Sequence, residues 1–217
     1  MGCLNFEDLN DYQIMSNNTK IILSDTELSN VNDTSWILTK QKITQKVFEL
    51  MKLQVDFLSV YGKSLLGSFA LPEIIASVPR ISKGENYLGL PYVMLDYPAV
   101  FSKNDVFALR TMFWWGHHFS MMLLLEGSYK KMAAPGIAEL LKKNKENIFI
   151  CVHDNQWQHS FDAENFKDAA LISPQEMDTI IFDKKFIKIG LKYSLQNWNE
   201  LPQLLPAGYT KLLALLP

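Results

Sequence analysis

The chain holds four histidines, His117 and His118 within "FWWGHHFS" and His153 and His159 within "VHDNQWQH". Imidazole titrates near neutrality, and a neighbouring carboxylate can fix its tautomer. A histidine beside Asp or Glu therefore suits general-base work or a divalent metal. The second segment has that mix: His153, Asp154 and His159 are candidate catalytic residues, joined by Asp96 and Glu126 where strand ends meet. Of the four histidines, His153 and His159 are the pair that could serve as metal ligands, although their spacing matches no established metal motif. In the first segment, Gly116 suits a tight turn and the tryptophans pack beside it, so a hairpin tip accounts for His117 and His118 without chemistry.

Arg110 stands in the middle of the apolar run "VFALRTMFWW". An unpaired guanidinium is very costly to bury, so it needs a carboxylate, an edge, or a cavity that receives an anionic or carbonyl ligand. Arg110, Trp157 and Tyr97 are the candidate ligand-binding residues. "YGKS" at 61 to 64 ends like a phosphate-binding loop, but Phe57 stands where the pattern needs glycine and the preceding segment is helical. The sequence has no dinucleotide fingerprint, paired-cysteine spacing, HExxH or serine elbow, so it specifies no cofactor.

These residues must be positioned by elements, and the periodicity supplies them. Residues 1–33 are rich in Asn, Asp and Ser and read as an irregular acidic arm; 34–217 reads as a single α+β domain. Asp33 or Thr34 caps a long amphipathic helix over 34–61, ended by Gly62 or Gly67. A short helix starts at Pro72, and "RISKGENYLGLP" reads as loop. "YVMLDY", "VFALRTMFWW", "HFSMMLLLE" and "NIFICVH" read as strands, with helices around 135–146 and 174–183. "FIKIGLKYSL" alternates, with Ile187, Ile189 and Leu191 inward and Lys188, Lys192 and Ser194 outward. The fold class is α+β: a mainly antiparallel sheet of four to six strands, packed by the long N-terminal-half helix and shorter later helices.

A two-residue turn at Gly116-His117 would set Trp115 opposite His118 and Arg110 opposite Leu123. The strand, helix, strand order after His118 then places His153 and His159, with Asp96 and Glu126, at the far end of the sheet from His117 and His118. In the tail, Pro202 and Pro206 break any long helix, and leucines such as Leu205, Leu212 and Leu213 need cover from the domain or a second copy.

A net charge of −2 offers nothing to neutralise a phosphate backbone, so nucleic acid is not an expected partner. No apolar run approaches the roughly 20 residues of a membrane span. With two cysteines and no secretory leader, the expected compartment is cytoplasmic, as a monomer or homodimer. The leading expectation for function is a small molecule held in a sheet/helix cavity. Behind it stand a metal-assisted, hydrolase-like enzyme centred on "VHDNQWQH" and a protein-interaction module using the acidic arm and leucine-rich tail.

Overall fold

The computed structural model describes residues 21–217 and divides into two units, one ending at Gln45 and one running Lys46–Pro217. In the first unit, α1 (Asp25–Asn32) interrupts the expected irregular arm; residues 1–20 lie outside the described residues. Ser24 caps it reciprocally: its hydroxyl accepts from the Glu27 N–H at 3.3 Å, and the Glu27 carboxylate accepts from the Ser24 N–H at 2.7 Å. That Ser-x-x-Glu box is the local signal for the helix. α2 (Thr34–Leu66) begins where the Asp33 carboxylate accepts from the Trp36 N–H at 2.9 Å and ends at Gly67, whose φ of 54° breaks the helix.

The second unit is an α+β fold on one seven-stranded antiparallel sheet, in the order β1-β2-β3-β4-β7-β5-β6. The strands are β1 (Arg80–Tyr87), β2 (Leu90–Phe101), β3 (Val106–Trp114), β4 (His118–Glu126), β5 (Phe149–Cys151), β6 (Phe166–Asp168) and β7 (Phe186–Ser194). The helices after α2 are α3 (Pro72–Ile75), α4 (Ser128–Lys143), α5 (Pro174–Phe182) and α6 (Leu201–Leu213). Seven strands exceed the four to six expected. β1 is polar and largely uncovered, hence its loop-like sequence, and β6 is only three residues long.

Alternation gives the sheet two different faces. Phe107, Leu109 and Phe113 of β3, Phe119, Met121, Leu123 and Leu125 of β4, and Ile187, Ile189 and Leu191 of β7 pack with the helices into the main core. Val106, Ala108, Met112, Trp114, Met122 and Leu124 occupy the opposite face, with Phe166, Phe161 and Tyr87, in a smaller cluster. Helices cover one face; the irregular stretch 152–165 covers the other.

The β3–β4 register differs from the two-residue expectation. Trp114 pairs with His118 and Arg110 with Met122, leaving Trp115, Gly116 and His117 as a three-residue turn with Gly116 at φ 72°. One added residue in the loop shifts every β4 side chain to the other face relative to β3. His118, Ser120 and Glu126 therefore share a face with Arg110, while Leu123 goes to the helix-side core.

Two helices also differ from expectation. α4 starts at Ser128, with Pro135 inside it rather than at its first turn. α6 runs straight through Pro206. Burial explains the second difference: Leu201, Leu205, Tyr209, Leu212 and Leu213 are all at most 1% exposed in the main core, which outweighs one missing backbone hydrogen bond.

Candidate functional site

Asp96 and Arg110 are direct cross-strand partners on the face away from the helices. The Asp96 carboxylate accepts two hydrogen bonds from the guanidinium, from Nε at 2.6 Å and from Nη2 at 3.0 Å. The third guanidinium nitrogen, Nη1, lies 3.0 Å from His159 Nε2, and His159 Nδ1 lies 3.2 Å from Lys188 Nζ. Lys188 Nζ also meets the backbone carbonyls of Gln156, at 3.0 Å, and Gln158. All four residues are buried, each at most 9% exposed.

Donor counting fixes the protons of this chain. Arginine only donates, so His159 Nε2 accepts. A neutral imidazole then carries its proton on Nδ1 and donates it to Lys188, which needs a lone pair to receive it. A neutral amine meets the requirement fully: two N–H groups go to the carbonyls of Gln156 and Gln158, and the lone pair faces His159. Burial acts in the same direction. It pushes the Lys188 amine down to about 7, helped by the charge of Arg110, and pushes His159 far below the imidazole range, with Lys188 and Arg110 adding to the effect. With Lys188 deprotonated the network is neutral, one carboxylate against one guanidinium.

The covering stretch 152–165 is held to the sheet by side chains. The Tyr87 hydroxyl accepts from the His159 and Ser160 N–H groups at 2.6 Å and 2.9 Å. Gln156 Nε2 donates to Glu126 at 2.8 Å, and Lys185 pairs with the same Glu126 carboxylate at 2.7 Å. The Arg110 guanidinium carbon stands 5.6 Å from the centre of the Trp157 ring. Further along, Phe161 stacks on Phe166 with centroids 4.2 Å apart and sits edge-on to His118 at 5.2 Å. Gly190 makes room for it, because a Cβ there would lie 2.7 Å from the Phe161 ring.

This stretch crosses the sheet face rather than staying at one end. His153 and Gln156 lie toward Glu126, but His159 reaches Arg110 mid-sheet and Phe161 reaches His118, so the placement of His159 at the far end is corrected. His118 and Ser120 are buried on this face, and His118 Nε2 and Ser120 Oγ have no hydrogen-bond partner among the described residues. Burial, with Lys192 and His117 nearby, depresses His118 to about 4.

Of the residues singled out in the sequence, the structure brings together Asp96, Arg110, His159 and Trp157, with Glu126 tied in through Gln156. The others lie elsewhere. Asp154 is on the surface, paired with Lys184 at 2.7 Å, and its carboxylate is held below its usual range by that contact. His153 is half-buried and spends Nδ1 on the Asn155 N–H at 2.9 Å. Tyr97, one residue after Asp96, points to the opposite face and packs on the helix-side core. Both His159 nitrogens are engaged, so neither is free for a metal; among the described residues no three His, Cys, Asp or Glu side chains gather as a metal set.

Lys188 and Tyr87 are the residues sequence reasoning missed. Lys188 is read as outward-facing; it does face away from the helices, yet it is 1% exposed because 152–165 lies over it. A lysine flanked by isoleucines on a strand with an irregular segment to cover it is the only signal available. A separate groove of about 570 Å³ opens between β7 and α6, lined by Lys192, Tyr193, Asn197, Glu200, Gly208 and Lys211, and does not include Arg110.

Compared with known proteins, the chain matches no family model, no curated protein and no solved structure. Among the described residues no helix is long and apolar enough to cross a membrane.

Proposed function

We propose that the protein binds a small molecule at the polar centre formed by Arg110, His159 and Lys188, on the sheet face beneath 152–165. One observation carries the reading: a continuous chain of buried titratable and charged side chains, Asp96–Arg110–His159–Lys188, crosses a face on which Ala108, Met112, Met122 and Leu124 form an apolar cluster. A buried ion pair is weak evidence for stability, since apolar replacements of similar volume often hold a fold equally well or better. Groups with strongly perturbed protonation gather at functional sites more often than chance allows. Trp157, Tyr87 and Trp114 add the aromatic lining that small-ligand sites favour.

A metal-assisted hydrolase is less supported, because no set of three metal-ligating side chains converges among the described residues. An interaction module using the tail is less supported too, because six of the seven tail leucines, all but Leu204, are consumed by the main core. Native mass spectrometry of the protein isolated without denaturation tests the proposal. The wild type is expected to carry a bound organic mass that an Arg110→Met variant of equal mass-spectral integrity loses. A bare wild type, or a mass retained equally by both, would overturn it.

A further inference from the structure

His159 fills the space between Arg110 and Lys188. Its ring bridges two groups that both belong to the sheet, Arg110 Nη1 at 3.0 Å and Lys188 Nζ at 3.2 Å. His159 itself belongs to the covering stretch. The hydrogen bonds that tie residues 156–161 to the sheet all run through side chains, those of Tyr87, Glu126 with Gln156, Arg110 and Lys188, and none of them is part of a strand ladder. Lifting the stretch therefore leaves the sheet intact. It exposes a guanidinium N–H and an amine lone pair about one imidazole apart. An anionic oxygen suits the first, and an electrophilic carbon suits the second.

We propose that the ligand of this site is a small oxo acid, whose carboxylate takes the place of His159 at Arg110 and whose carbonyl carbon condenses with Lys188 Nζ. The lone pair of the neutral amine forms the C–N bond, the π pair of the carbonyl moves to oxygen, and one of the two amine protons passes to that oxygen. The resulting carbinolamine loses water as its nitrogen gives up a proton, and an imine remains. No oxidant or reductant is consumed. Under the cover, burial holds Lys188 near 7, against about 10.4 for an ordinary lysine, so about half of the amine is already deprotonated at pH 7 when the stretch lifts; once it is exposed, Arg110 still acts in the same direction. Asp96 keeps the guanidinium oriented, and its charge is balanced before the ligand arrives.

This inference rests on the polar centre being the ligand site, and the experiment separates the two. The folded wild type is treated at pH 7 with glyoxylate and cyanoborohydride, the external hydride donor, which reduces an imine to a stable carboxymethylated lysine. Acetaldehyde replaces glyoxylate in a parallel reaction, and every lysine is mapped by peptide mass spectrometry. Lys192, exposed on the same strand, is the internal reference. Lys188 is expected to be modified by glyoxylate at least tenfold faster than Lys192, with a much smaller preference for acetaldehyde, because Arg110 recognises only the acid. Lys188 left untouched while Lys192 reacts overturns the imine. Equal preference for the two aldehydes at Lys188 overturns the oxo acid. If the native protein carries a noncovalent organic mass while Lys188 stays unmodified, the imine falls and the binding site stands; if neither is seen, both fall.

Discussion

Asp96 and Arg110 stand opposite one another on β2 and β3 and share two hydrogen bonds, at 2.6 Å and 3.0 Å, with both side chains about 10% exposed. Removing one partner strands the other in a low-dielectric setting. Arg110→Leu is expected to lower stability by about 3 to 5 kcal/mol, measured by urea unfolding. The double variant Asp96→Leu/Arg110→Leu should recover a large part of that loss, because no charge is left unpaired. A single variant as stable as the wild type would show that the pair is not truly buried.

Lys188 makes stability depend on pH in the alkaline direction. Its folded value near 7 lies below the roughly 10.4 of an unfolded lysine, so between those values the unfolded chain holds a proton that the folded one has released. Raising the pH then favours the folded state, by up to about 1.4 kcal/mol per unit. The window closes near pH 10, where tyrosines begin to oppose it: burial raises Tyr129 and Tyr193 to about 12. Urea midpoints of the wild type should climb between pH 7.5 and 9.5, and those of Lys188→Met should climb less. Parallel curves would sink the neutral amine.

The strands that carry the site are legible in the sequence; the contacts that make it are much less so. "HFSMMLLLE" coincides with β4, and a guanidinium inside "VFALRTMFWW" announces a need for a carboxylate before any partner is known. The register of those strands is not legible, because glycine at position 116 is compatible with a two- or a three-residue turn, and the choice decides which face Ser120 and His118 occupy. Tyr97 and Asp96 are adjacent in sequence and so fall on opposite faces, a separation that proximity in sequence conceals. The burial of Lys188 depends on 152–165, a stretch with no periodicity, whose path is set by Tyr87, Glu126 and Arg110 far away in the chain.

His118 gives an acid-side prediction. Burial first, then Lys192 and His117, lower it to about 4, against about 6.5 when unfolded. Between those values the unfolded chain takes up a proton that the folded chain refuses, so stability falls as the pH drops through this window. His118→Phe should remove that part of the slope. Phenylalanine also suits the aromatic surroundings of Trp114 and Phe161 and leaves no unpartnered Nε2. Denaturation at pH 4.5 and 7 is expected to show a smaller difference for the variant than for the wild type. His159, also depressed, keeps the remaining slope in the same sense.

Gly190 links the sheet to its cover. It sits on β7 opposite Met122, and a Cβ added there would come within 2.7 Å of one Phe161 ring atom and 3.3 Å of the Phe166 ring. Phe161 is stacked flat on Phe166 with planes 3° apart, so neither ring can yield without the other. Gly190→Ala therefore pushes Phe161 outward, and the stretch that carries His159 two residues earlier moves with it. The helix-side core lies on the other face and is untouched, so overall unfolding should shift only modestly. The local change should be larger: faster amide exchange over 156–161 and new proteolytic cleavage within 152–165. Glyoxylate labelling of Lys188 should rise as well, since the amine becomes reachable more often. Unchanged exchange and cleavage in Gly190→Ala would mean that 152–165 does not depend on the Phe161 contact for its place on the sheet.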